Sequence, residues 1–102
     1  MDLKQKRIEL NTELEAITDN VYFAPDSNHT LKYPCIVYSV DDILTRYANN
    51  KPYSLAQAYQ ISVIDADADS ALISKVALLP TSSFSRYFKS GYLHHTIFTL
   101  FI

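Results

Sequence analysis

Glycine is nearly absent from this chain, with Gly91 as the only one among 102 residues. Loops that cradle phosphate groups need several glycines, because the backbone must approach the ligand without side chains in the way. The phosphate-binding loops of nucleotide-binding folds are therefore excluded. The same shortage, beside eight tyrosines and five phenylalanines, predicts a chain rich in strands and poor in tight turns.

Cysteine is equally scarce, since Cys35 is the only one. A single cysteine excludes an internal disulfide and fits a reducing compartment. No Cys-x-x-Cys or His-x-x-x-His spacing occurs, and the neighbours His94 and His95 point to opposite faces of a predicted strand. We therefore predict no metal and no other cofactor, with Cys35 packed as a small apolar side chain.

Strong charge and long apolar runs are also missing. Nine basic and eleven acidic residues give a formal net charge of -2, which creates no field that would hold a nucleic-acid backbone. Residues 1–11 are charged and amphipathic, so we expect neither a secretion signal nor a membrane span there. Serine, histidine and aspartate occur without a Gly-x-Ser-x-Gly elbow. We expect a soluble cytosolic protein that is not an enzyme.

The residues that are present suit one globular domain over 1–102, since 48% of them are hydrophobic. Helical spacing predicts a first helix over residues 2–17, whose apolar face consists of Leu3, Leu10, Leu14 and Ile17, with Ile8 at its margin. Residues 19–32 are rich in turn-forming side chains and predict a polar loop, at the start of which Val21, Tyr22 and Phe23 are compatible with a short strand.

Beyond this loop, alternating apolar residues predict a long β-hairpin. The apolar phase of its first strand shifts by one residue after Asp41 and Asp42, which indicates a bulge. Residues 49–52 predict the turn, and alternation from Tyr53 to Val63, broken only by Gln57, predicts the returning strand.

The end of that strand supports two interpretations. Asp65, Asp67 and Asp69 match the first carboxylate positions of a helix-loop-helix calcium motif. The glycine position of the motif is Ser70, however, and its closing glutamate position is Val76, which has no oxygen ligand to offer. We therefore favour Asp67 or Asp69 as the N-cap of a helix, and keep a calcium-dependent binding module as a further alternative.

After Ser70 the spacing of Leu72, Val76 and Leu79 predicts a short helix, which Pro80 ends. A short hairpin then turns at Gly91 into a last strand over 93–102. The order helix, long hairpin, helix, short hairpin predicts an α+β fold, with a mainly antiparallel sheet and two helices packed on one face.

The last strand carries apolar residues on both of its faces, and two helices cover one face only. We therefore expect the second face to be covered by another copy of the chain. The candidate residues for this subunit interface are Tyr38, Tyr59, Phe98, Leu100 and Phe101. The candidate exposed contacts are His29 in the polar loop, Asp41 and Asp42.

Several segments of the chain also resemble a known family, the tail-completion proteins of long-tailed bacteriophages and prophages. The matching segments are Tyr33–Tyr38, Asn49–Tyr53, Tyr59–Asp65, Asp69–Ser70, Ser83–Arg86 and Leu93–His95. The resemblance thus covers about Tyr33 to Ile102. The family's usual proline between the later aspartates is Ala68 here.

The resemblance implies a tail terminator, a structural protein without catalysis. Such a subunit assembles with itself as a ring, as a hexamer in this family, on top of the tail tube protein. The ring ends tail polymerisation, joins the tail to the head-tail connector proteins and lets DNA pass only as cargo. The implied location is the virion neck, and the host cytoplasm during assembly. A head-completion protein, acting as stopper or adaptor, is the alternative.

Overall fold

The computed structural model describes residues 3–26, 28, 30–48 and 51–101, with the side chains of 44–48 and 51–56 left out. The elements in chain order are α1 (Leu3–Glu15), β1 (Val21–Phe23), β2 (Cys35–Ala48), β3 (Lys51–Asp65), α2 (Ala71–Ala77), β4 (Ser83–Ser90) and β5 (Leu93–Phe101). The predicted α+β class is confirmed.

The described strands form a mixed sheet of five, in the order β1-β2-β3-β5-β4. The short strand β1 runs parallel to β2, and the other neighbours pair antiparallel. The long hairpin pairs from Cys35 opposite Ile64 to Ala48 opposite Lys51. Pro52 lies opposite Tyr47, so the residues predicted to close the turn belong in part to β3. Asn49 and Asn50, the other predicted turn residues, lie outside the described part of the chain.

The predicted bulge is present in β2. Val40 pairs with Tyr59 and Asp42 pairs with Ala58, so Asp41 is the extra residue that has no partner in the register. One inserted residue reverses which side chains face each side of the sheet. Consequently Tyr38 and Ile43, an even and an odd position, point to the same side of β2.

A hydrophobic cluster joins the sheet to both helices. Register places Tyr38 opposite Ile61 and Ile61 opposite Phe98, so these three side chains share one face. The cluster consists of Leu10, Leu14, Ile36, Tyr38, Tyr59, Ile61, Val63, Leu72, Val76, Phe98 and Leu100. Helical spacing therefore predicted the buried pairs of both helices correctly, Leu10 with Leu14 and Leu72 with Val76.

The opposite sheet face is less open than the sequence pattern predicts. Cys35, Ile64 and Ile97 point to that face, and each is buried within the single chain. Phe101 of the same face is 38% exposed, and Phe88 on β4 is 41% exposed. The apolar surface left uncovered therefore lies toward β4 and the end of β5, instead of over the whole second face.

Candidate assembly surfaces

Four of the predicted interface residues belong to the core of the chain. Tyr38, Tyr59, Phe98 and Leu100 are 0 to 2% exposed, because they point to the face on which the helix side chains pack. They have no surface to offer a second subunit, and that part of the interface prediction is wrong. Phe101 keeps an exposed ring and remains a candidate.

The hydroxyl groups of the two core tyrosines are both hydrogen-bonded. Tyr38 donates to Asn11 Oδ1 at 2.6 Å, and Tyr59 donates to Gln57 Oε1. Burial raises the pKa of both phenols, and for Tyr38 the nearby Arg7 guanidinium acts in the opposite direction. Both tyrosines therefore contribute to the packing of the core.

The N-cap of α2 is Ser70, which corrects the prediction of Asp67 or Asp69. The Ser70 backbone is extended, with φ -54 and ψ 133, and its hydroxyl accepts a hydrogen bond from the Leu72 amide at 3.3 Å. Ser70 is the N-cap because it directly precedes the first helical residue, where a side-chain oxygen reaches the free amides of the first turn. The aspartates lie too early in the chain for that contact.

The aspartates instead shape the turn before Ser70. Asp65 Oδ1 accepts a bond from the Asp67 amide at 3.0 Å, and Asp67 Oδ1 accepts one from the Asp69 amide at 2.9 Å. Each bond closes a local turn between residues two positions apart. Within the described residues, no group of three or more His, Cys, Asp or Glu side chains is arranged to hold a metal ion. The calcium interpretation gains no support from this geometry.

Strand β4 is exposed along its whole length. Every residue from Ser83 to Ser90 is exposed, and β4 stands last in the strand order, so its outer edge has no partner strand in the described sheet. Phe84 is 63% exposed, and Tyr87 and Phe88 are 49% and 41% exposed. An unpaired strand edge that carries aromatic rings is a template for contact with another chain.

Two of these rings lie flat against histidines of β5. The Phe88 and His95 rings stack at 4.6 Å between centroids, and Tyr87 stacks on His94 at 5.8 Å with its hydroxyl bonded to Nδ1. Burial lowers the pKa of His95. The stacks hold the Tyr87 and Phe88 rings in place. These side chains therefore lose less conformational entropy when a partner binds to them.

A second exposed edge lies on the far flank of the sheet. Strand β1 covers β2 only from Ile36 to Tyr38, and among the described residues no strand pairs with the outer edge of β2 beyond that point. Asp41 and Asp42 lie on this edge and are exposed, as predicted. Asp42 Oδ1 accepts a bond from the Ile43 amide at 2.8 Å, which holds the bulge. The third predicted contact, His29, lies outside the described residues.

The distal half of the long hairpin is a two-stranded arm. Strand β5 pairs with β3 only as far as Ala58, so β3 from Lys51 to Gln57 is paired to β2 alone among the described strands. The longest principal extent of the chain is 51 Å, about twice the other two at 25 and 23 Å. The sequence predicted the hairpin. Its arm extends beyond the sheet because the neighbouring strands β1 and β5 pair with only part of β2 and β3.

No family model matches the chain, and no curated protein is significantly similar to it. Within the described residues, no helix is both long enough and apolar enough to cross a bilayer.

Proposed function

We propose that this chain is a structural subunit of a tail-terminator ring in a long-tailed bacteriophage or prophage. The observation that carries the proposal is the pair of different unpaired strand edges on opposite flanks of one sheet, β4 and the outer edge of β2. Two unlike edges favour head-to-tail contact, and head-to-tail contacts close into rings when the rotation between subunits permits.

The family resemblance supports the same function. Its segments Tyr33–Tyr38 and Tyr59–Asp65 lie side by side in the sheet, with Cys35 opposite Ile64 and Tyr38 opposite Ile61. The resemblance thus rests on residues that build the centre of the fold. In the proposed ring the two helices cover one sheet face, as their shared cluster with the strands suggests.

The proposed role is mechanical. The ring, a hexamer by the resemblance, sits on the tail tube, stops its growth and presents a surface to the head-tail connector. It works without catalysis or cofactor, in the virion neck after assembly in the host cytoplasm. DNA crosses the ring as cargo, for which a net charge of -2 per chain is suited because it does not retain phosphates.

Two measurements test this function. Light scattering after size exclusion, with negative-stain electron microscopy, should give a closed ring of uniform mass. Added to polymerising tail tube protein from the same phage, the ring should stop growth and be found at one tube end. A protein that stays monomeric at high concentration, or that leaves tube length unchanged, would contradict the proposal.

The alternative is a head-completion protein, stopper or adaptor, of the same neck. The two roles differ in what the protein copurifies with, capped tails for a terminator and DNA-filled heads for a stopper or adaptor. The calcium alternative is tested by melting temperature, which calcium should raise if Asp65, Asp67 and Asp69 bind it. An unchanged melting temperature removes that alternative.

A further inference from the structure

We infer that the β4 edge of one copy docks against the Asp41–Asp42 segment of β2 in a second copy. This inference rests on the proposed ring function and names the surfaces that form its repeated contact. Three properties of the two edges support it: strand direction, charge and exposed apolar side chains.

The strand directions suit such a contact. Since β2 is antiparallel to β3, β3 to β5 and β5 to β4, strand β4 runs opposite to β2. When a second copy continues the sheet in the same orientation, its β2 edge therefore meets the first copy's β4 edge in antiparallel fashion. Antiparallel pairing is slightly more stable per residue than parallel pairing, so this direction suits a contact between two strand edges.

The charges of the two edges are opposite. Strand β4 carries Arg86 and Lys89 and no acidic residue, whereas the β2 edge presents Asp41 and Asp42 together. Register also places Arg86 and Asp42 on the same sheet face. Arg86 lies opposite Ile97, and Ile97 lies opposite Ser62. Asp42 lies opposite Ala58, which is four residues from Ser62 along β3 and therefore on the same face.

Apolar side chains border both charged pairs. Phe84, Tyr87 and Phe88 are exposed beside Arg86 and Lys89. On the other edge Val40 and Ile43, which flank the two aspartates, are 42% and 46% exposed. Aromatic rings surrounded by charged side chains are the usual composition of a specific interface, in which the charges select the partner and the rings supply the affinity.

Charge reversal gives a sharp test, because the contact is between two different edges. The variant R86E/K89E has two acidic edges, and D41K/D42K has two basic edges. Each should be monomeric by light scattering under conditions in which the wild type forms the ring. Mixed in equal amounts, the two variants should reassemble with alternating subunits, since every contact then again joins an acidic edge to a basic one.

The controls separate folding and function from docking. K75E and D69K are single charge reversals of the same two kinds at exposed sites on and before α2, and should leave assembly unchanged. If a reversal variant loses its cooperative unfolding transition, R86Q/K89Q replaces it. This milder variant should weaken assembly at least about tenfold, which corresponds to about 1.4 kcal/mol per contact.

The possible failures are distinguishable. A wild-type protein that stays monomeric would contradict the proposed ring-forming function itself. If the wild type forms rings and the folded reversal variants do so equally well, the ring stands and this docking surface is wrong. Variants that are each monomeric but do not reassemble when mixed also overturn the pairing of these two edges.

Discussion

Tyr38 at the centre of the sheet donates a hydrogen bond to Asn11 of helix α1, with 2.6 Å between the hydroxyl and Oδ1. The Tyr38 side chain is otherwise fully buried, between the rings of Phe23 at 5.0 Å and Tyr59 at 6.0 Å. This bond ties the first helix to β2 across 27 residues of sequence. It satisfies the hydroxyl group of a buried phenol.

Removing that hydroxyl should destabilise the fold. We expect Tyr38→Phe to lower the free energy of unfolding by about 1 kcal/mol, since it loses one hydrogen bond and keeps the ring. Urea denaturation measures the change. Tyr92→Phe is the matched control, because Tyr92 is 69% exposed and the same substitution there should have no measurable effect. Equal stability of Tyr38→Phe and wild type would mean that the bond contributes nothing.

The position of the helix cap can be checked by alanine substitution. Ser70→Ala removes the acceptor of the Leu72 amide and should cost about 1 kcal/mol of unfolding free energy. Asp69→Ala should cost less, because Asp69 contributes its backbone amide to the turn, and alanine retains that amide. Thermal or urea unfolding of both variants decides the point. A larger loss for Asp69→Ala would restore the aspartate as cap.

Helix α1 offers a matched pair for the core. Leu14→Ala should lower the free energy of unfolding by about 2 to 5 kcal/mol, because Leu14 is 0% exposed and its truncation leaves a cavity. Ile8→Ala, in the same helix but 40% exposed, should cost far less, since solvent fills the space. Similar losses at the two positions would be incompatible with the packing of α1 described above.

Stability should depend on pH through His95. Its pKa in the folded chain lies below the ordinary value of 6.5, because burial disfavours the imidazolium. The unfolded chain therefore binds the proton first as pH falls through 6.5, and stability decreases until the folded pKa is passed. Denaturation of wild type and His95→Gln at several pH values measures this. The variant should lose less stability toward acid, and identical pH profiles would rule out a contribution from His95.

The single thiol should be protected from reagents. Burial, with a smaller contribution from the negative charge of Asp65, raises the pKa of Cys35 to about 11. Since the thiolate is the reactive form and Cys35 is 0% exposed, alkylation at pH 8 should be very slow in the native protein and fast in urea. Mass spectrometry after timed iodoacetamide treatment gives both rates. Rapid native labelling would contradict the burial of Cys35.

Local pattern was sufficient for most of the fold. Apolar spacing predicted the buried pairs of both helices, and the phase shift around Asp41 predicted the bulge, because both signals depend only on nearby residues. The cap of α2 was misplaced by one or more residues, since Asp67, Asp69 and Ser70 all have an oxygen suited to capping. Only the backbone position of the first helical turn selects among them.

The candidate surfaces were harder to predict. The alternation of side chains along a strand predicts that Tyr38 and Cys35 point to opposite faces of the sheet. It does not predict which of the two faces the helices cover. Four buried side chains were therefore predicted as interface, while the exposure of Phe84, Tyr87 and Phe88 was missed. The signal available for β4 was the combination of aromatic and basic residues in a segment without acidic ones.

The sequence by itself determined the class of fold, the order of elements apart from the short strand β1, and the lack of a phosphate-binding loop or internal disulfide. These follow from residue period, from one glycine and from one cysteine, all of which are local or compositional properties. The tertiary structure decided which strands lie at the sheet edges and which aromatic rings stay exposed. Strand order and helix placement depend on contacts between residues far apart in the chain, and no local period specifies them.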